Sequence, residues 1–310
     1  MYNNQEIGCF TDSGNNLSFM RTLNAHRIYY SNSKVKLVVS DKSTKNLDKI
    51  KTSKNIKTKI ITMDIETLLQ RNVQKPYSIS IFDGEKSRSF YLSDYESPEI
   101  MLKMALSSIL ISKYKNYKVY IHNLSSFDSV FLLRILNSME NNITRSAMTR
   151  NNGRIINLNI NYNKNCNISL RDSMLLLPSS LAKLSKTFNP KSYYKSIFPI
   201  LFLKNIEPNY NGPVPKYKFF KNITLDEYKI YKQNYKGRLW SLKDETIMYC
   251  EMDCKALYYV LVNYNQYVFD LFNLNIVNYP TLSALAFGIF RSKFLKDDFK
   301  IPLVAHPVQC

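Results

Sequence analysis

The sequence predicts an α/β (α+β) chain, a mixed central sheet with flanking helices, on three observations. Three consecutive apolar, β-rich runs between Lys59 and Ser93 suggest an antiparallel meander. From Pro98 to Met139 the pattern alternates helix, strand, helix, which with the preceding strands implies a parallel crossover. A long helical stretch then begins near Ser241. At 310 residues and 45% hydrophobic, the chain can build one large domain or two smaller ones.

Residues 1–56 are polar and rich in Asn, Ser and Lys, with one apolar alternation at Lys34–Ser40; they read as an N-terminal extension with one strand. A domain is expected over 57–275. It opens with the strand "KIITMDIET", followed by a strand at Pro76–Gly84 that ends in an Asp83-Gly84 turn, and by "SRSFYLS". Pro98 starts a helix to Tyr114, "YKVYIHN" is a strand, and "FDSVFLLRILNSM" is a second helix. "RIINLNINYN" and "NISLRDS" add two strands. Five prolines (190, 199, 208, 213 and 215) mark residues 189–225 as a loop region before the last long helix. Ser241 and Asp244 form a capping box at the start of that helix, with Asp in the place of the commoner Glu. Residues 276–310 read as a lead-in to a further domain.

Forty-three Lys and Arg against 24 Asp and Glu leave a net charge of +19, so a polyanion is the expected partner. Nucleic acid, an anionic membrane and a generally basic protein all fit, but 23 Tyr and 17 Phe offer rings for base stacking and favour nucleic acid. No apolar run approaches the ~18 residues of a membrane span. Neither a signal peptide nor a transit peptide is recognisable at the N-terminus, and the protein is expected to be made where it works. Five cysteines without CxxC spacing argue against a disulfide framework or a zinc site. Cys250 and Cys254, four apart on a helix, read as packing residues. Abundant Lys, Asn, Ile and Tyr hint at an A+T-rich genome such as that of an organelle or its plasmids.

Asp64 and Glu66 carry the chemistry. Residues i and i+2 of a strand share a face, so two carboxylates sit a few ångströms apart and repel. A divalent cation between them relieves the repulsion, although a solvated strand end is the plain alternative. Tyr249 and Asp253 are i and i+4 on the late helix, which places a phenol beside a carboxylate. Asp128 opens the second helix, where the positive end of the helix dipole favours its ionised form; as a lone residue it would read as an N-cap. If these elements pack at one sheet edge, four acids can hold two divalent cations about 3.5–4 Å apart, the arrangement of phosphodiester hydrolysis. Mg²⁺ suits such oxygen ligands and Mn²⁺ can substitute, with Tyr249 left to orient the attacking water.

At this point the chain resembles a known family. "MDIET", "YIHNLSSFDSVFLL" and "YCEMDCKALYYVL" are similar to the three exonuclease motifs of family B DNA polymerases, DxE, Nx2–3(F/Y)D and Yx3D, in the same order. The wording is nearest the protein-primed branch of linear mitochondrial plasmids and small phages, and the resemblance runs from about Lys57 to Phe294. It implies a ribonuclease H-like fold and 3′→5′ proofreading of single-stranded DNA ends. Also implied are replication of a mitochondrial genome or linear plasmid, a mitochondrial location, and a terminal protein primer as partner of the full-length polymerase. Asp64, Glu66, Asp128 and Asp253 become metal ligands and Tyr249 the water positioner. Thr67, Tyr120, Asn123, Phe127, Ser173 and Met174 match positions that hold the frayed 3′ end, Met174 replacing the usual Leu. Lys195 matches a catalytic-support lysine that contacts the scissile phosphate, with Lys191 as rival. Read from the residues alone, Phe127 is equally a core ring or a base platform, Asp172 a solvated or hydrogen-bonded strand end, and His122 a structural imidazole.

A SLYPS-like segment and a YxDTD motif are absent from the sequence, while "YPTLSALAFGIFRSKFL" resembles the lead-in to the palm domain. The chain is therefore expected to be the N-terminal part of a longer polymerase or a truncated gene, without nucleotide addition of its own. Two other readings stay open: a catalytically silent, basic single-strand-binding relic, and an exoribonuclease of the same superfamily.

Overall fold

The computed structural model describes residues 18–23, 26–31, 34–39, 46–139, 143–149, 153–163, 166–189, 197–204, 206–221, 223–296 and 301. The chain divides into two compact units, one of residues 1–51 with 290–310, the other of Thr52–Ile289. The first unit holds a three-stranded antiparallel sheet of β1 (Ser18–Leu23), β2 (His26–Ser31) and β3 (Lys34–Val39) in that order. Only β3 has the apolar alternation that sequence reading detects.

The second unit is built on a seven-stranded mixed sheet, as the fold class predicts. Its first three strands are β4 (Ile60–Gln70), β5 (Val73–Phe82) and β6 (Ser87–Tyr91), an antiparallel meander. The β4–β5 hairpin reaches three residues further at each side than the apolar run suggests, because Arg71 and Asn72 both take positive φ, 48° and 62°. That pair of left-handed residues makes a two-residue turn whose twist suits the hairpin. Helix α1 (Pro98–Ser107), capped by Ser97, leads to β7 (Lys118–Ile121), and α2 (Ser129–Ser138) follows. β8 (Ile143–Thr149), β9 (Ile155–Tyr162) and β10 (Cys166–Asp172) complete the sheet in the order β6-β5-β4-β7-β10-β9-β8. β8 escapes sequence detection because it is an edge strand exposed at every position except Ile143.

The two sides of the sheet differ in chemistry. Ile61, Met63, Ile65, Ile79, Ile81, Val119 and Ile121 alternate onto one face and pack with α1 and α2 in an aliphatic core. The other face presents Thr62, Asp64, Glu66, Ser78 and Ser80, and α5 (Leu242–Phe272), introduced after α3 (Leu181–Phe188) and α4 (Leu225–Gln233), lies against β4 and β5. Thr62 Oγ1 donates to the Cys254 carbonyl at 2.8 Å, and the Cys254 thiol contacts the Ser80 carbonyl at 3.2 Å. Ser241 caps α5 through the Asp244 amide, and Asn273 ends the helix in the left-handed region at φ 54°. α6 (Leu282–Ile289) follows; residues 276–289, which the sequence places in the lead-in segment, lie within this unit.

The described residues between α3 and α5, 197–204, 206–221 and 223–241, do more than connect the two helices. Phe198, Leu203, Phe220, Tyr231 and Trp240 bury a second, aromatic core there, and Trp240 is fully buried with its indole N–H donating to the Tyr231 hydroxyl at 2.7 Å. Within it, α4 starts with a full capping box, Thr224 and Glu227. The T-x-x-E spelling is legible in the sequence, but the proline count masks it.

Candidate active site

β7 runs parallel to β4 on one side and to β10 on the other, so the carboxyl ends of three strands share one edge of the sheet. The β4–β7 pairing ends at Thr62 and the β7–β10 pairing at Ile121 and Asp172. Asp64 and Glu66, the turn from Asn123 to Asp128, and Ser173 and Met174 therefore all fall just beyond the parallel ladders, Asp64 and Glu66 still paired with β5 on their other side. Crevices outside the carboxyl ends of strands are the usual ligand sites of such sheets.

A cleft of about 980 Å³ opens at that edge, and Asp64, Glu66, Asp128, Tyr249 and Asp253 all line it, with Asn123, Phe127 and Met174. Three separate elements thus deliver four carboxylates and one phenol to a single space. Asp128, Tyr249 and Asp253 are nearly fully buried, while Asp64 and Glu66 are half-buried. Asp128 stands at the N-cap of α2 but makes no capping hydrogen bond, which leaves its carboxylate to the cleft.

Its electrostatics reverse the sequence expectation. Burial first, then the charges of Asp64 and Asp172, push the Asp128 carboxyl up to about 8, outweighing the helix N-terminus. Burial, with Asp253, Glu66 and Asp64 around it, pushes the Tyr249 phenol far above its usual range, so it stays protonated at any ordinary pH. Phe198, from the aromatic core, stacks on that ring at 4.7 Å between centroids and fixes its plane.

The turn after β7 is held from β10. The Asp172 carboxylate accepts from the amides of Asn123 at 3.1 Å, Ser125 at 3.0 Å and Met174 at 2.9 Å, and from the Ser125 hydroxyl. Asn123 takes φ 69°, a left-handed conformation that Asn tolerates better than most residues. Of the two readings of Asp172, a solvated or a hydrogen-bonded strand end, the structure has the hydrogen-bonded one, buried and anchoring the turn. Phe127 is 38% exposed against an edge of Phe131, so it stands as an open ring in the cleft, not as core.

Of the other expected strand-binding residues, Thr67, Tyr120 and Ser173 do not line the cleft. Thr67 follows a bulge after Glu66 and donates to Gln74 Oε1 across the hairpin at 2.8 Å. Tyr120 is fully buried in the sheet. Ser173 is also fully buried, its hydroxyl 2.9 Å from Nδ1 of His122, and it is His122 that reaches the cleft. Lys195 and Lys191 lie outside the described residues.

The comparisons with known proteins follow the motifs. The profile of the family described as DNA polymerase type B, organellar and viral, matches residues 108–309, more than half of the chain. The chain belongs to this family. Two fungal relatives, each named "Probable DNA polymerase", are similar to it. That of Neurospora intermedia is 35% identical over 268 residues, 77% of this chain and 27% of the relative. That of Ascobolus immersus is 34% identical over 287 residues, 88% of this chain and 23% of the relative. The chain spans about a quarter of the length of the curated polymerases it matches. Phi29 DNA polymerase complexed with single-stranded DNA superposes with a TM-score of 0.41 at 16% identity, over 67% of this chain and 32% of that one.

In this type B chain the donor set fits divalent cations. Burial and the Asp64 charge raise the proton affinity of the Asp128 carboxyl, and a hard cation would relieve that cost. Asp64, Glu66 and Cys250 bring one ligand atom each within 4.8 Å of one another. Cys250 itself is held protonated, first by burial and then by Cys254 and the Asp64 charge, and its sulfur lies 3.4 Å from the Asp64 carbonyl. A neutral thiol is a poor partner for Mg²⁺, so Cys250 packs α5 against β4 and Asp64 and Glu66 are the ligands on offer in that group, with Asp128 and Asp253 lining the same cleft outside it. Cys166, Cys250 and Cys254 are free thiols among the described residues, and Cys9 and Cys310 lie outside them.

Proposed function

We propose that the chain is the 3′→5′ exonuclease part of a type B DNA polymerase and hydrolyses the terminal phosphodiester of single-stranded DNA. The observation that carries this reading is the convergence of Asp64, Glu66, Asp128, Asp253 and Tyr249 on one cleft from β4, the start of α2 and α5. Asp64, Glu66, Asp128 and Asp253 would hold two divalent cations, Mg²⁺ or Mn²⁺. Bound there, the cations supply the Lewis acidity that activates water and neutralises charge on the phosphate.

The chain's own residues supply the rest. Tyr249 keeps its proton and donates it as a hydrogen bond, which orients the attacking oxygen without taking part in proton transfer. Phe127 offers its exposed ring to a terminal base, and a frayed single strand is the DNA form whose bases are free to stack. Asn123 and Met174 border the same space. The relatives named as polymerases support a place in DNA replication, which we assign to a mitochondrial genome or linear plasmid with a terminal protein primer serving the whole polymerase.

The test is degradation of a 5′-labelled single-stranded oligonucleotide with Mg²⁺. Wild-type chain should ladder it from the 3′ end, and Asp64→Ala/Glu66→Ala should abolish laddering. Laddering that survives the double substitution, or none in either protein, overturns the proposal; the second result would favour a binding relic.

A further inference from the structure

We propose that Lys221 grips a phosphate of the bound single strand next to the linkage being cut, and so makes the segment between α3 and α5 the phosphate-holding wall of the cleft. This rests on the nuclease reading above and extends it to a residue outside the three motifs.

Lys221 and Ile223 line the same cleft as the four carboxylates. The backbone on either side of Lys221 is pinned. Phe220 is buried with its ring 5.4 Å from both Tyr228 and Tyr231, and its amide donates to the Tyr217 carbonyl at 3.0 Å. The Tyr217 hydroxyl donates to the Ile223 carbonyl at 3.0 Å, and Thr224 then caps α4. Lys221 is thus an exposed ammonium next to the anchored Phe220, a form suited to meeting a phosphate as a point charge.

Charge makes the case stronger. Four other lysines of this unit are paired, Lys113 with Asp83, Lys229 with Asp226, Lys243 with Asp94 and Lys255 with Glu251, whereas the two that line the cleft, Lys186 on α3 and Lys221, are in no ion pair among the described residues. The one acid that shares its wall, Glu227, has its carboxylate turned to the Thr224 amide at 2.5 Å. A polyanion entering a cleft lined by four carboxylates needs a positive counterpart, and single-strand sites pair a stacking ring, here Phe127, with a basic wall.

The test measures binding of a single-stranded oligonucleotide by fluorescence anisotropy over a salt series, in a chain carrying Asp64→Ala and Glu66→Ala so that the strand is not cut. Lys221→Gln should weaken binding about two- to fivefold. The slope of log affinity against log salt should become shallower by about 0.7. Lys221→Arg should keep the slope, and Lys229→Gln, which removes the same charge from a residue already paired, should leave it unchanged. Oligonucleotides with one neutral methylphosphonate, moved along the last few linkages, should show one position that weakens the parent and has no effect on Lys221→Gln. An unchanged slope with an unchanged methylphosphonate profile in Lys221→Gln overturns the proposal. Wild-type chain that cuts nothing, while the Lys221 pattern holds, would remove the nuclease reading and leave the phosphate contact standing.

Discussion

Asp128, a metal ligand in the proposed nuclease, carries a stability cost. Its carboxyl is held near 8 by burial and by the Asp64 charge, against about 4 in an unfolded chain. The folded state therefore binds this proton more tightly than the unfolded state, and folding stability falls as pH rises from about 4 to about 8. Asp128→Asn removes that loss. In buffer with a chelator the variant should melt higher than wild type, by on the order of 1–2 kcal/mol at pH 8, with the gap closing towards pH 4. Its exonuclease activity should be lost. Thermal melts across pH 4–8 check the first part, and a gap that does not change with pH would contradict the account. Position and type of this residue were legible in the sequence; its proton affinity was not, because Asp64 is 64 residues away along the chain only on paper and in the fold is its neighbour across two parallel strands.

At the scale of elements, apolar alternation located β4, β5, β6, β7, β9 and β10, and helical periodicity located α1, α2 and α5, with Pro98 and Ser241 marking the starts of α1 and α5. What alternation missed was decided by partners outside the element itself. β8 exists because β9 offers it a ladder, and α4 because Thr224 caps it and aromatic rings from the surrounding segment cover it. Asp172 belongs to the same class: local pattern makes it a strand end, and the turn 49 residues earlier makes it an anchor. Asp172→Ala should therefore act on the site through the turn. Losing an acceptor shared by three amides and a hydroxyl should cost about 2–4 kcal/mol. Because Asn123, Phe127 and Asp128 sit on or beside that turn, activity should drop below a tenth of wild type even at temperatures where the variant remains folded. Circular dichroism melts and the oligonucleotide assay, run together, separate the two effects; full activity in a folded variant would show that the turn holds without its anchor.

At the scale of the whole molecule, the cleft is assembled from parts that have no reason to meet except through the sheet and α5. β4 and α5 are fastened at their far ends by two buried asparagines: Asn265 donates to the Lys57 carbonyl at 2.9 Å, and Asn275 accepts from the Lys57 amide at 2.6 Å. Folding therefore brings Asp64, Glu66, Asp128, Tyr249 and Asp253 to one cleft, and the protein carries the burial of Asp128 beside the Asp64 charge as a standing destabilisation. An ion that binds only the assembled cleft must give that stability back. By mass action a divalent cation at a hundred times its dissociation constant adds about 2.7 kcal/mol. For a unit of this size that is several degrees in melting temperature. Mn²⁺ or Mg²⁺ added to the apo chain should raise the melting temperature in a saturable way, and the rise should be absent in Asp64→Ala/Glu66→Ala. An equal rise in both proteins would place the cations elsewhere on the chain, and the acids of the cleft would then need another explanation for being held so close together.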